Sequence, residues 1–471
     1  MKKFLIVIVV SCAPSLVHAE DWIQFRGPNS SGISPDKNLP LEFGPTKNVV
    51  WKTDLPPGHS SPILVGSHIY LTAVDNERLF TICLDRSSGR IEWRREVPRE
   101  RKGHLHQKNG PVSSSPTSDG KDVFAFFTDF GLVSYGPDGN ERWRTPLGPF
   151  NNPMGMSASP VLVGDILLMS CDAESGSFLL AVNKNTGKTV WRVERPEFTR
   201  GFATPVIYKP ADGPTQALIA GSYQLTSYAV DTGKLVWWVN GLTWQLKPTP
   251  VLGKDMVFVQ GWAGGSDTGQ QEEVPPFEEV LKLLDKDHDG KLAKAEVTDK
   301  YILANWSDTD LNGDGFLDER DWKFYRLKRS AQNGLIAIRL GGHGDMTEKS
   351  VLWRYQKALP NVPSPLYYKD VLYMVKEGGI LTSLDPATGK VLKQGRLLGA
   401  LDQYFSSPVA ADDKIYAISE EGKAVVLKPG AEWEILTVND LDDMCYATPA
   451  IADGKLYIRT RNALYCFSKR D

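Results

Sequence analysis

The sequence predicts an all-β fold, an eight-bladed β-propeller with a small α-helical insertion in the fifth blade. Three observations carry this reading. A Ser/Thr-Pro pair recurs eight times, the same strand-and-turn pattern follows each pair, and one repeat is lengthened by an acidic segment with its own loop chemistry.

The pairs are Ser61-Pro62, Ser115-Pro116, Ser159-Pro160, Thr204-Pro205, Thr249-Pro250, Ser364-Pro365, Ser407-Pro408 and Thr448-Pro449. From proline to proline the steps are 54, 44, 45, 45, 115, 43 and 41 residues, so one step is long by about 70 and the rest share a period. After each proline comes an apolar strand, a Gly or Asp turn, and a second strand such as Ile69-Tyr70-Leu71 or Ile415-Tyr416-Ala417. A third strand runs into a turn and then a tryptophan, as in Leu84-Asp85 to Gly89 then Trp93, and Val182-Asn183 to Gly187 then Trp191. Four short strands joined by such turns at a period of 40 to 50 residues describe one antiparallel blade. Asp or Asn closes the loop through its side chain, and Gly supplies the positive φ of a tight turn. The recurrent tryptophan is placed on the outer strand, packed between neighbouring blades.

The eighth unit ends at Leu464-Tyr465-Cys466-Phe467 without a fourth strand, whereas Asn48-Val49-Val50-Trp51-Lys52 is an outer strand without a blade before it. The N-terminal strand is therefore expected to complete the last blade, which removes open sheet edges.

Ahead of it, Met1-Lys2-Lys3, the apolar run Phe4 to Val10 and Val17-His18-Ala19 have the order of a secretory leader, with residues 1–19 removed. Val9-Val10-Ser11-Cys12 also has the form of a lipobox, the alternative in which Cys12 becomes an acylated first residue. No stretch has the length of a membrane helix. The expected location is the periplasm or cell envelope. The full chain carries a net charge of −3, which offers no basic footprint for nucleic acid. Cys83, Cys171, Cys445 and Cys466 lie far apart, with no metal or haem spacing. They read as buried thiols, and disulfides among them stay open.

The remaining mature chain divides into 20–265, 266–333 and 334–471, the middle piece being the insertion between the second and third strands of blade five. It contains Asp285-Lys286-Asp287-His288-Asp289-Gly290-Lys291-Leu292-Ala293-Lys294-Ala295-Glu296, a complete calcium loop. A hard cation wants six to eight oxygens at once. Asp285, Asp287 and Asp289 supply carboxylates at positions 1, 3 and 5, Lys291 its carbonyl at 7, and Glu296 two oxygens at 12, while Gly290 makes the bend. The second loop offers Asp310, Asn312, Asp314, the Phe316 carbonyl and Asp321, an Asp where the first has Glu. Helical flanks are expected over 277–284 and 322–327. Together these define an EF-hand pair with two calcium sites. The insertion has a net charge of −6 and leaves the rest of the mature chain near +1, so metal occupancy should order it.

The repeats resemble the pyrroloquinoline-quinone-like propeller repeats of quinoprotein dehydrogenases and of the bacterial outer-membrane assembly lipoprotein, over nearly all of the mature chain. Trp22-Ile23-Gln24-Phe25-Arg26-Gly27-Pro28 and Phe150-Asn151-Asn152 are similar to an exported bacterial subfamily of that class. The resemblance implies either an enzyme or a scaffold. Quinoprotein alcohol dehydrogenases hold pyrroloquinoline quinone between a tryptophan floor and a vicinal disulfide, and this sequence has no adjacent cysteines and no haem motif for onward electron transfer. The expected function is an exported calcium-binding propeller, a monomer that engages a protein or glycan at its funnel or blade edges. The alternative is an oxidoreductase using pyrroloquinoline quinone.

The loop before each Ser/Thr-Pro pair faces one end of the propeller, which makes His59, Asn109, Met156, Arg200, Trp244, Asn361, Tyr404 and Tyr446 candidates for the funnel lining. No catalytic residue is assigned. The longer connection Arg99 to Lys108 reads as a basic loop, with His104 and His106 as metal ligands in the alternative.

Overall fold

The computed structural model describes residues 21–99, 101–103 and 105–469. The leader, its cleavage point after Ala19, Cys12 and His104 lie outside them. Eight antiparallel sheets follow one another around an axis, spanning 63–97, 117–146, 161–194, 206–240, 251–355, 366–396, 409–440 and 450–468. The eighth holds three strands of its own and takes Val49–Asp54 as its fourth, paired antiparallel with Ala463–Ser468. The ring is thus closed by the two ends of the chain, as the orphan N-terminal strand predicts.

The Ser/Thr-Pro pairs form the wall of the axis. The Ser61 amide donates to Ser115 Oγ at 2.9 Å, Ser115 to Ser159 at 3.0 Å, and Ser159 to Thr204 Oγ1 at 3.0 Å. Thr249 donates to Ser364, Ser364 to Ser407, and Ser407 to Thr448, each at 3.0 Å, and Thr448 returns to Ser61 at 2.9 Å. Inner strands of neighbouring blades do not pair, so each needs a side-chain acceptor for this buried amide. A small hydroxyl supplies one, and the following proline brings no donor that would need a second.

Tryptophans join the blades at their outer edges. The indole N–H of Trp143 donates to the Lys184 carbonyl of the next blade at 2.6 Å, and that of Trp191 to Val230 at 2.9 Å. Trp51, Trp93 and Trp353 make the equivalent bonds to Arg86, Pro137 and Pro386. Each ring covers a turn glycine. At Gly187, where φ is +67°, an added Cβ would lie 2.5 Å from the Trp143 ring. Trp237 departs from this pattern and bonds Gln216 in its own blade. The next blade there has the long connection 340–350, whose Gly344–Asp345 adds a parallel strand beside Trp237 and Trp238.

The segment 21–48 crosses the far end of the axis. Its carbonyls at Trp22, Ile23 and Gly32 accept from Leu64, Ser118 and Ala410 in blades one, two and seven, and Asn29 exchanges two bonds with Ile207 in blade four. Arg26, wholly buried, donates to the Pro365 carbonyl at 2.8 Å. This segment stops one mouth of the channel.

The chain leaves blade five after Gly261 and rejoins it at Gly334, with Asn333 bonding both the amide and the carbonyl of Ala263 across the neck. Between them lie three helices, α1 (Phe277–Leu284), α2 (Lys300–Ala304) and α3 (Glu319–Ser330). Helix α3 begins earlier than the sequence pattern indicates, because Asp318 and Asp321 form a capping box at its start. A small core of Phe277, Val280, Leu292, Ile302, Leu317, Trp322 and Tyr325 holds the unit together. It docks over the rims of blades three and four. Phe324 and Leu311 pack against Tyr223 and Trp244, and Arg320 donates to the Glu174 carbonyl at 2.8 Å. Arg200, wholly buried, joins Glu174 of the propeller to Asp308 of the insertion, the latter at 2.7 Å. The four cysteines among the described residues are buried and free. No helix among them is long and apolar enough to cross a membrane.

Two outcomes are expected. Gly187→Ala should lower the unfolding free energy by about 2–4 kcal/mol in denaturant titration, combining left-handed strain with overpacking against Trp143, whereas Lys188→Ala at the same turn should change it by less than about 0.5 kcal/mol. Arg200→Met leaves the buried Glu174 carboxylate without its ion-pair partner and Asp308 with the 3.8 Å contact to Lys328, a loss of roughly 3–5 kcal/mol at a buried pair. Limited proteolysis should then cut within 266–333 faster while the propeller stays intact, and unchanged cleavage would contradict this docking role.

Candidate functional site

The open mouth of the channel is a funnel of about 570 Å³. All eight Ser/Thr side chains of the repeat line it, and Phe25 of the crossing segment reaches it from the stopped end. The wall is therefore anchored by the backbone bonds of the hydroxyl ring, and the variable loops above it set its chemistry.

His59, Asn109, Asn361 and Tyr446 lie in the lining. Arg200, Trp244, Tyr404 and Met156 do not, and each has a physical reason. Arg200 is drawn into its buried ion pairs beneath the insertion. Trp244 is covered by helix α3, with the Lys328 ammonium 4.1 Å from its ring centre. Tyr404 turns inward to donate to the Ala400 carbonyl at 2.7 Å. Met156 is fully buried. Beside Trp244, Tyr404 and Met156, their neighbours Gln245, Phe405 and Ser157 face the funnel instead. Successive residues of an extended loop point to opposite sides, so a displacement of one position exchanges a lining residue for a packed one. Lys108 and Lys247 are further lining residues that repeat position does not single out.

These groups compensate one another. His59 stacks on Tyr446 with ring centres 4.4 Å apart, and burial, then the Arg459 charge, push its imidazole down to about 4, so it is neutral at pH 7. Lys108 pairs with Glu420, which also accepts from the Tyr446 hydroxyl at 2.6 Å. Lys247 donates to Asn361 at 2.9 Å, and desolvation pushes it down to about 8. Arg459 lies behind His59, wholly buried, bonded to Ser60 and to the Thr72 carbonyl. Three cations thus stand around the funnel against the Glu420 carboxylate, and the field favours an anionic guest.

A second cavity of about 610 Å³ lies between the rim and the insertion. It shares His106 and Met154 with the funnel and reaches Glu174, Trp306, Asp308 and Asp310. The carboxylates of Asp285, Asp287 and Asp289 converge to within 4.8 Å of one another. Asp285 also accepts from the His288 and Gly290 amides, and Glu296 from Lys286 and Ala293. In the second loop Asp310 accepts from Gly313 and Gly315, and Asp321 from Leu311 and Asp318. Asn312 and Asp314 turn toward each other at 3.1 Å. The loops pair through a short antiparallel bridge, Leu292 opposite Leu317 and Ala293 opposite Phe316, which sets Lys291 beside Phe316. Their oxygens are of the type a hard divalent cation takes.

Comparison with solved structures returns the same architecture at low identity, which speaks for the fold alone. BamB from Moraxella catarrhalis matches with a TM-score of 0.57 and 12% identity, covering 90% of this chain and 97% of that one. A europium-containing methanol dehydrogenase matches at 0.59 and 11%, covering 96% and 98%. The quinohemoprotein alcohol dehydrogenase of Comamonas testosteroni matches at 0.59 and 12%, covering 96% and 81%. A search of curated proteins finds no match. The family model described as outer membrane protein assembly factor BamB matches residues 44–174, 175–296 and 326–471. A closed wheel of eight repeats and a match over most of the chain agree, and the protein belongs to this pyrroloquinoline-quinone-like β-propeller family.

Proposed function

We propose that this protein is an exported, calcium-binding β-propeller that acts as a binding or scaffolding protein in the cell envelope, taking a protein or glycan at its funnel or blade edges. The observation that carries the binding reading is the funnel itself. One mouth is stopped by the N-terminal segment, the wall is held by backbone-anchored hydroxyls, and Lys247 and Arg459 carry charge that no carboxylate among the described residues meets in a hydrogen bond. Such a surface suits recognition of a protruding anionic group. Membership of a family described by an outer-membrane assembly factor supports the envelope location. The leader ending at Ala19 belongs to the same reading, with acylation at Cys12 as its variant.

The insertion is read as an EF-hand pair. Asp285, Asp287, Asp289, the Lys291 carbonyl and Glu296 would hold one calcium ion, and Asp310, Asn312, Asp314, the Phe316 carbonyl and Asp321 the other. Burial pushes Asp321 up to about 6, and a bound cation is the compensation that keeps such a carboxylate ionised. Because the second loop adjoins Asp308 and the Arg200 pair, occupancy would also firm the docking of the insertion on the propeller.

The quinoprotein reading rests on the dehydrogenases among the structural neighbours. The funnel does not offer the sandwich that this resemblance implies. Its aromatic residues are Phe25, Phe202, Phe405 and Tyr446, with no tryptophan among the described lining, and the cysteines are not adjacent.

Calorimetric titration with calcium should give two binding events per chain. Asp285→Ala combined with Asp310→Ala should lose most of the heat while far-UV circular dichroism still reports a folded propeller, and equal heats in both proteins would remove the calcium assignment. Incubation with pyrroloquinoline quinone should leave no retained quinone absorbance and no dye reduction with alcohols. Retained quinone with turnover would replace the scaffold by an oxidoreductase.

A further inference from the structure

We propose that His68, Cys83 and Glu92, on three adjacent strands of blade one, form a binding site for a single zinc-like divalent ion, with a fourth coordination position open to solvent. His68 Nε2 lies 3.2 Å from Glu92 Oε2, and Cys83 Sγ lies 3.7 Å from the same oxygen. All three donor atoms fall within 4.8 Å of one another. Tetrahedral zinc with its usual bond lengths separates a nitrogen and an oxygen ligand by about 3.3 Å, and a sulfur and an oxygen by about 3.5 Å. The two separations sit beside those edges.

The repeat provides an internal control. In every blade the outer strand carries a bulge, just before the tryptophan in the six blades that have one there, and in blade one the extra residue is Glu92, between Ile91 opposite Leu84 and Trp93 opposite Cys83. Such bulges re-aim a side chain. At the three matching positions blade three has Ile166, Ala181 and Val190, and blade five has Met256, Ala337 and Leu352, an apolar set in both. Blade eight keeps a cysteine, Cys466, but flanks it with Lys455 and Val50. Blade two has Asp122, Ser134 and Arg142, and there the carboxylate is met by the Arg142 guanidinium at 3.4 Å. Only blade one combines an imidazole, a thiol and a carboxylate, and among the described residues no lysine or arginine pairs with Glu92. A metal ion would stand where blade two places its guanidinium.

The donor set selects the metal. Imidazole, thiolate and one carboxylate suit zinc and related borderline ions, whereas calcium and magnesium prefer oxygen alone. The site is thus chemically distinct from the two acidic loops of the insertion. His68 Nδ1 lies 3.5 Å from Ser67 Oγ, a partner that can orient the ring. The side chains of His68 and Glu92 keep 25% and 28% exposure, which leaves an approach for the ion and room for water as the fourth ligand. Binding releases the Cys83 proton, so affinity should rise with pH.

The test is cobalt(II) titration of the full mature chain with calcium saturating the acidic loops. We expect one equivalent to bind with a thiolate-to-cobalt charge-transfer band, displaced by zinc. The band should vanish in Cys83→Ala and persist in Cys466→Ala. Glu92→Gln, at a partly exposed position that should not disturb folding, should weaken binding by at least ~10-fold, the lower bound for losing even an outer ligand contact. Zinc should raise the melting temperature of the wild type and not of Glu92→Gln. Absence of the band at millimolar cobalt, or its survival in Cys83→Ala, would overturn the site.

Discussion

The blades of this molecule meet along an axis where backbone amides are buried and no neighbouring strand is at hand to pair them. Seven of the eight blades answer with the hydroxyl of a Ser or Thr that accepts the amide of the blade before it. A single bond of this type contributes only about 1 kcal/mol, but leaving a buried amide unmet costs about 1–3 kcal/mol. The constraint therefore bears on every repeat separately, and it explains why the hydroxyl and its proline recur while the loops above them differ. The funnel inherits a rigid wall from the bonds that join the blades.

The step from Thr204 to Thr249 is the one without this bond among the described residues. At the same junction the outer latch also changes, since Trp237 bonds Gln216 in its own blade and a strand from the 340–350 connection covers its edge. The insertion sits over this seam. Phe324 of α3 shares a packed cluster with Tyr223 and Trp244 there. The extra unit thus supplies apolar contact and a buried ion-pair network, and the 340–350 connection a covered edge, at the place where the regular links between blades are altered. One consequence is that the second acidic loop, the Arg200 network and the rim of the funnel form a continuous set of contacts.

Electrostatics separates three regions of different chemistry on one wheel. The funnel carries Lys108, paired with Glu420, and Lys247, bonded to Asn361, with Arg459 buried behind His59. The insertion carries sixteen carboxylates against ten cations. Blade one places a soft donor beside a carboxylate and an imidazole. Because the scaffold repeats, each of these departures stands out against equivalent positions in other blades, which is a stronger comparison than any single residue provides.

The number of blades and the closing N-terminal strand were legible in the sequence, because alternation and turn chemistry act between residues close in the chain. The tryptophan latches were legible in part, since the Trp and its glycine lie in successive repeats of known order. The place of Trp22 to Pro28 was not. Its stop across the channel depends on blades one, two, four, six and seven standing together. Nor could spacing show that Arg200 and Trp244 are covered, since the residues that cover them, Asp308, Phe324 and Lys328, come from a segment up to about a hundred residues later in the chain. His68, Cys83 and Glu92 lie within one blade, and what turns Glu92 toward the other two is a bulge in the register that spacing does not show. Sequence determines the repeat because its forces are local, and tertiary structure decides the sites because their members converge only when separate strands and the insertion pack.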